Sequence, residues 1–160
     1  MFPLISSSSG PSSGPSSGPW AATLLRLALA SLFLAHGVLW KLVQAGPQHV
    51  IPWFVSHGYP AWFGWAVIAA ETGGGLLLLL GLGTRPVCLG LAALMAGITW
   101  HQSPNGWIYT SQFGGWEYPA FWAVALIVQA GLGPGRLALD NRRRRAPPLP
   151  PDPRAVTFPT

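Results

Sequence analysis

The chain has little charge, since only 8% of its 160 residues are Asp, Glu, Lys or Arg, against about 25% in soluble domains. Half of the residues are hydrophobic and nine are tryptophan, a residue that collects at membrane–water interfaces. This balance excludes an ordinary soluble domain and predicts a membrane protein. The length suffices for one compact domain.

Cysteine is nearly absent, because Cys88 stands alone in the sequence. An intrachain disulfide, a CxxC redox motif and a cysteine metal motif are therefore excluded, and Cys88 itself is interpreted as a small buried hydrophobic residue. The sequence also lacks a short-spaced histidine pair for zinc, a phosphate-binding loop and a nucleophile–base motif. Hydrolase and kinase classes are excluded, and no metal site is predicted.

Two segments differ in composition from the middle of the chain. Residues 1–19 form a Ser/Gly/Pro tail in which SSGP occurs three times in succession, and residues 141–160 form a basic, proline-rich tail. Neither composition can build a core. Both tails are therefore expected to be disordered or extended, and to become ordered only against a partner. The run NRRRR at 141–145 is interpreted as a cytoplasmic anchor, and nucleic acid is not predicted as a partner because no folded basic face accompanies it.

Between the tails, residues 20–140 contain four apolar segments. The spans are predicted at 20–43, 61–83, from 86 through 100, and 117–132. The fourth ends in GLGPGR, a helix stop. The predicted fold is all-α: a polytopic membrane protein with a four-transmembrane-helix bundle.

The cations predict the topology of this bundle. With four spans, both termini and the loop between spans two and three share one side, which carries eight arginines, whereas the other side carries only Lys41. This asymmetry places both termini in the cytoplasm. Loops 44–60 and 102–116 then face outward and are expected to lie on the membrane interface. The predicted location is a bacterial-type inner (plasma) membrane.

Four motifs along the middle of the chain carry a family resemblance. They are RL-x8-HGVLWKL from Arg26, ETGGGLLLLLGLGTR from Glu71, GGWEYP from Gly114 and GLGPGRLALD from Gly131. From about Leu24 to Asp140 the chain resembles the DoxX family of small four-helix membrane proteins. The resemblance implies association with membrane oxidoreductases, because related proteins take part in thiosulfate oxidation with quinone as acceptor or accompany terminal quinol oxidases. It implies no agreed catalytic residues.

Charged residues near the cytoplasmic end of the bundle suggest a structural contact. Arg26 lies about 9 Å inside the first span, and Asp140 follows the fourth. An Arg26–Asp140 pair would fix both ends of the bundle. The alternative is an anionic-lipid site beside Arg136.

A second polar group is predicted in the outer half of the bundle, at His36, Lys41, Glu71, His101 and Glu117. An unpaired carboxylate at membrane depth is costly, so Glu71 is expected to contact His36, or another polar residue of this group, rather than lipid, or to be protonated. Glu71 and Gly75 are expected to share the inner face of their helix, where small residues allow close approach.

The outer group is either a site or a structural network. As a site it would bind a quinone head between hydrogen-bonding and aromatic residues, namely His101, Glu117, Trp107, Tyr109 and Trp116, with a proton path through Glu71, His36 and Glu117. Haem ligation by His36 and His101 has weak support, since no haem motif is present. As a network it would only hold the helices together.

Two functions follow. One is an integral membrane subunit of a quinone-linked electron-transfer complex, without chemistry of its own, whose partners are other membrane subunits and the lipid bilayer. The other is a non-catalytic scaffold or sealing subunit of a larger assembly, such as a respiratory or photosynthetic complex. Lipid and quinone are the only non-protein groups expected, and no covalent cofactor is predicted.

Overall fold

The computed structural model of the protein describes residues 17–108 and 110–144, and this part of the chain is helical without strands. The helices are α1 (Gly18–Leu34), α2 (Pro47–Ser56), α3 (Ala61–Leu80), α4 (Thr84–Gln102), α5 (Glu117–Leu132) and α6 (Leu139–Arg144). A π-helical segment, Ala35–Gln44, continues α1, and a 3-10 turn, Ser103–Asn105, follows α4. The all-α prediction is confirmed.

The predicted spans coincide with α1, α3, α4 and α5, with differences at their ends. α3 ends at Leu80 because Gly81 adopts a left-handed conformation (φ 67°) and closes the last turn. α4 begins before Pro86 because the Asp140 carboxylate accepts hydrogen bonds from the backbone N–H groups of Gly83 (2.9 Å) and Thr84 (3.1 Å). The tails lie almost wholly outside the described residues, except for 17–19 and 141–144.

The segment between α1 and α3 contains a helix that the sequence did not predict. α2 starts after Gly46, whose φ of 74° turns the chain, and Pro47 occupies its first position. Val50 and Phe54 of α2 pack with Val67 and Ile68 of α3. The helix is not evident from the sequence because Pro52 lies inside it, and proline usually breaks helices. In the structure, Pro52 is exposed and the helix continues past it.

The four long helices pack around one apolar core, in which α1 lies mainly against α3, and α4 against α5. Phe33, Leu78, Leu126 and Cys88 are fully buried there. The fully buried Cys88 agrees with its interpretation as a small core residue.

The glycine triplet of α3 allows close helix contact on two sides. A methyl group at Gly74 would approach Leu91 of α4 to 2.9 Å, and one at Gly75 would approach Leu34 of α1 to 2.9 Å. A methyl group at Gly73 would meet no atom within 4 Å. Because Glu71 and Gly75 are both buried, the prediction that they share the inner face of α3 is confirmed.

In the part of the chain that the structure describes, two helical stretches are long and apolar enough to cross a membrane: Gly18–Gln44, with 27 residues, and Ala61–Leu80, with 20. Glu117–Leu132 is apolar but shorter. The number of spans therefore stays a prediction.

Candidate functional site

Glu71, the carboxylate inside α3, forms an ion pair with Lys41 of the π-helical segment. The side chains of Glu71 and Lys41 are only 3% and 15% exposed. Glu71 therefore contacts a polar residue of the predicted outer group, as expected, and that residue is Lys41 rather than the favoured His36. The imidazole of His36 instead donates from Nδ1 to the Leu32 carbonyl (3.0 Å) and contacts the Trp122 ring.

The π-helical register explains this change of partner. An α-helix turns by about 100° per residue, whereas the i→i+5 hydrogen bonds of a π-helix require more residues per turn. Over the seven residues from Leu34 to Lys41 the direction of the side chain changes by on the order of a third of a turn. Gly37, in the same segment, lies against Thr72 and Glu71, so the segment also approaches α3 closely enough for the ion pair.

His101 belongs to an aromatic group formed with α2. Its Nδ1 shares a hydrogen bond with the Tyr59 hydroxyl (3.2 Å), and its ring centroid lies 5.5 Å from that of His57. Trp53 stacks on His57 at 4.1 Å. The sequence does not predict this group, because no spacing pattern indicates α2; His57, in the turn after α2, is itself exposed, as expected for an interface residue.

Trp107 and Glu117 lie in a different group, beside Trp116. The two tryptophan rings are 4.4 Å apart, and the backbone N–H of Glu117 donates to the Trp107 carbonyl (3.1 Å). Tyr109 lies outside the described residues. Among the described contacts, Glu71, His36, His101 and Trp107 each have different neighbours. A quinone or proton site formed by these residues stays a prediction.

A groove between α4 and α5 opens to the surface near these groups and has a volume of about 400 Å³. Small residues and two tryptophan rings line it: Ala96, Thr99, Trp100, Ser103, Trp116, Ala120 and Ala123. The hydroxyls of Thr99 and Ser103 already donate to the carbonyls of Met95 and Trp100 (both 2.8 Å). The groove therefore suits an apolar ligand better than a polar head group.

Arg26 is buried at the opposite end of the bundle, with 1% of its surface exposed. Its guanidinium donates to four backbone carbonyls: those of Leu78, Leu79 (2.8 Å), Pro134 (2.9 Å) and Leu137 (2.7 Å). The Asp140 carboxylate stabilises the guanidinium electrostatically while it caps α4. Arg26 and Asp140 thus both hold the chain ends in place, and their hydrogen bonds go to the backbone.

Metal-ligating side chains do not cluster: residues 17–108 and 110–144 contain no group of three or more that could hold a metal ion. His36 and His101, considered above as haem ligands, contact different neighbours, Trp122 and Tyr59 respectively.

Comparison with known proteins supports the family resemblance. The family model of DoxX matches residues 21–103, more than half of the chain. The matched region runs from α1 through α4 and contains Arg26, Lys41 and Glu71. No curated protein and no solved structure matches the chain.

Proposed function

The chain belongs to the DoxX family and is a membrane protein, and we propose that it is a subunit of a quinone-linked electron-transfer complex without redox chemistry of its own. The groove between α4 and α5 carries this proposal. It is apolar, has aromatic walls in Trp100 and Trp116, and opens to the surface that apolar side chains cover. A quinone bound there would supply the electron-carrying chemistry.

The groove fits the isoprenoid tail and ring face of a quinone, and it offers little to the head group. A reactive quinone site needs hydrogen-bond donors at the carbonyls, whereas both hydroxyls in the groove already donate to their own helix. The histidine at the same level, His101, is turned towards Tyr59. A partner subunit would therefore bring the redox group, and this chain would bind or guide the quinone.

A scaffold role is the second candidate, and the satisfied polar contacts favour it. Lys41 pairs with Glu71, and Arg26 is saturated by carbonyls. Networks of this kind hold helices in register without any reaction. In this case the groove would be filled by lipid or by a neighbouring subunit, and the two polar tails would lie on partner surfaces.

Quinone binding in the groove can be tested with a substitution that fills the groove. We expect Ala120→Trp to reduce crosslinking of a photoreactive ubiquinone analogue at least several-fold, because the indole occupies the space between α4 and α5. Ala93→Trp is the matched control, since Ala93 is an exposed alanine of α4 outside the groove. The measurement is mass spectrometry of crosslinked peptides from the chain in its native membrane.

Equal crosslinking in both variants would contradict a quinone in the groove. Loss of crosslinking in Ala120→Trp together with intact complex assembly would separate quinone binding from the scaffold role.

Four spans with both termini in the cytoplasm are part of the proposal. The eight-to-one distribution of cations supports this topology. A cysteine at Ser56, an exposed position of α2, should react with a membrane-impermeant maleimide from outside intact cells, whereas a cysteine at Thr157 should react only after lysis. The native Cys88 is buried and should contribute little labelling. Labelling of Thr157→Cys from outside would refute the orientation.

A further inference from the structure

The end of the bundle where α1 begins carries an exposed basic surface that the proposed function does not use. We propose that Trp20, Arg85 and Arg136, here called the basic site, bind the phosphate group of an anionic phospholipid. The three residues come from the start of α1, the start of α4 and the turn after α5.

Arg136 is held in position by its surroundings. Its guanidinium carbon lies 5.2 Å from the centre of the Trp20 ring, a cation–π contact. Its backbone N–H donates to the Thr23 hydroxyl (2.7 Å) and lies 3.2 Å from the Pro19 carbonyl. The ring contact occupies one face of the guanidinium and leaves its N–H edge available for a phosphate.

Arg85 lies on the other side of the same turn. A methyl group at Gly133 would be 3.7 Å from its Nη2 atom, and Gly133 precedes Arg136 by three residues, which spans at most about 10 Å of chain. Both side chains are exposed. The two arginines therefore border one short stretch of backbone, residues 133–136.

The described residues around the basic site keep a net positive charge, although the Asp140 carboxylate lies beside it and accepts hydrogen bonds from the backbone N–H groups of Gly83 and Thr84, next to Arg85. Glu71 pairs with Lys41, Glu117 lies at the other end of α5, and Asp140 caps α4 and acts on Arg26. The ion pair found within residues 17–108 and 110–144 involves neither Arg85 nor Arg136. An anion from outside the chain is the natural counter-charge for this surface.

Apolar neighbours distinguish a lipid from a free phosphate. Exposed leucines lie on the same elements as the residues of the basic site or next to them in the chain. They are Leu24, Leu89, Leu132 and Leu137. A phosphate flanked by acyl chains matches both parts of this surface, whereas inorganic phosphate matches only the guanidinium groups.

The test measures binding of phosphatidylglycerol to the full chain in mild detergent by native mass spectrometry, with phosphatidylcholine and inorganic phosphate as separate arms. We expect Arg136→Gln and Arg85→Gln each to weaken phosphatidylglycerol binding roughly fivefold, as one fewer cation at a lipid surface should. Arg154→Gln removes the same charge from the C-terminal tail and should change little. Trp20→Leu should weaken binding, and Trp20→Phe should largely restore it, because an aromatic ring keeps the cation–π contact.

Three results would overturn the basic site. Equal weakening by Arg154→Gln would show that only total charge matters. Competition by inorganic phosphate at concentrations equal to the lipid would show that acyl chains contribute nothing. Wild-type affinity in Arg85→Gln and in Trp20→Leu would exclude these residues, even if Arg136→Gln failed to fold.

Discussion

Arg26→Leu is expected to destabilise the helical bundle by about 3–5 kcal/mol, more than any change on its surface. The leucine would leave the carbonyls of Leu78, Leu79, Pro134 and Leu137 without their donor. A buried carbonyl that loses its partner costs about 1–3 kcal/mol. The measurement is the midpoint of unfolding in mixed detergent and SDS, followed by circular dichroism.

Two further variants sharpen this experiment. Arg85→Leu removes a guanidinium from an exposed position and should change the midpoint little. Arg26→Lys should give an intermediate loss, because one ammonium group cannot reach four carbonyls arranged around a planar guanidinium. If Arg26→Leu and Arg85→Leu had the same midpoint, the buried arginine would not hold α3 and the turn after α5 together.

Breaking the Lys41–Glu71 pair is expected to have the second largest effect, and the two single variants should differ. Lys41→Met leaves the carboxylate of Glu71 unpaired and almost fully buried, at a cost of about 3–5 kcal/mol. Glu71→Gln leaves Lys41, which is more exposed and can extend its ammonium towards the interface, so the loss should be smaller. The double variant Lys41→Met/Glu71→Gln should recover much of the stability of Lys41→Met.

The same SDS unfolding measurement gives a double-mutant cycle for this pair. Additive losses in the double variant would mean that Lys41 and Glu71 do not interact. Glu71→Gln also separates structure from proton transfer: a structural pair should tolerate glutamine with little loss of activity in the host complex, whereas a proton carrier should lose turnover while assembly is intact.

Much of the fold could be predicted because the long helices are apolar and bounded by clear signals. α5 occupies 117–132 as predicted: it begins at Glu117 within GGWEYP and ends at the glycine-rich stop. The π-helical segment could not be predicted, because hydrophobic periodicity assumes 3.6 residues per turn. The ion pair depends on that segment. Matched depth along two ordinary helices therefore suggested His36, and the altered rotation brings Lys41 to Glu71.

The outer group was predicted in composition and missed in arrangement. The predicted membrane depth places His101 and Glu117 at the same level. It does not determine which way each side chain points around its helix axis. His101 contacts Tyr59 and the Trp53 ring of α2, while the backbone N–H of Glu117 donates to the Trp107 carbonyl. The unpredicted α2 carries Trp53 and positions His57 in the turn after it, so the neighbours of His101 could not be assigned without that helix.

The three consecutive glycines of α3 should differ in how many residue types each position tolerates. Gly74 and Gly75 each touch a leucine of a neighbouring helix, whereas Gly73 borders open space. Among related sequences, positions 74 and 75 should accept only the smallest residues, unless Leu91 or Leu34 shrinks in compensation. Position 73 should vary widely and should favour alanine or leucine, which stabilise a helix relative to glycine by up to about 1 kcal/mol.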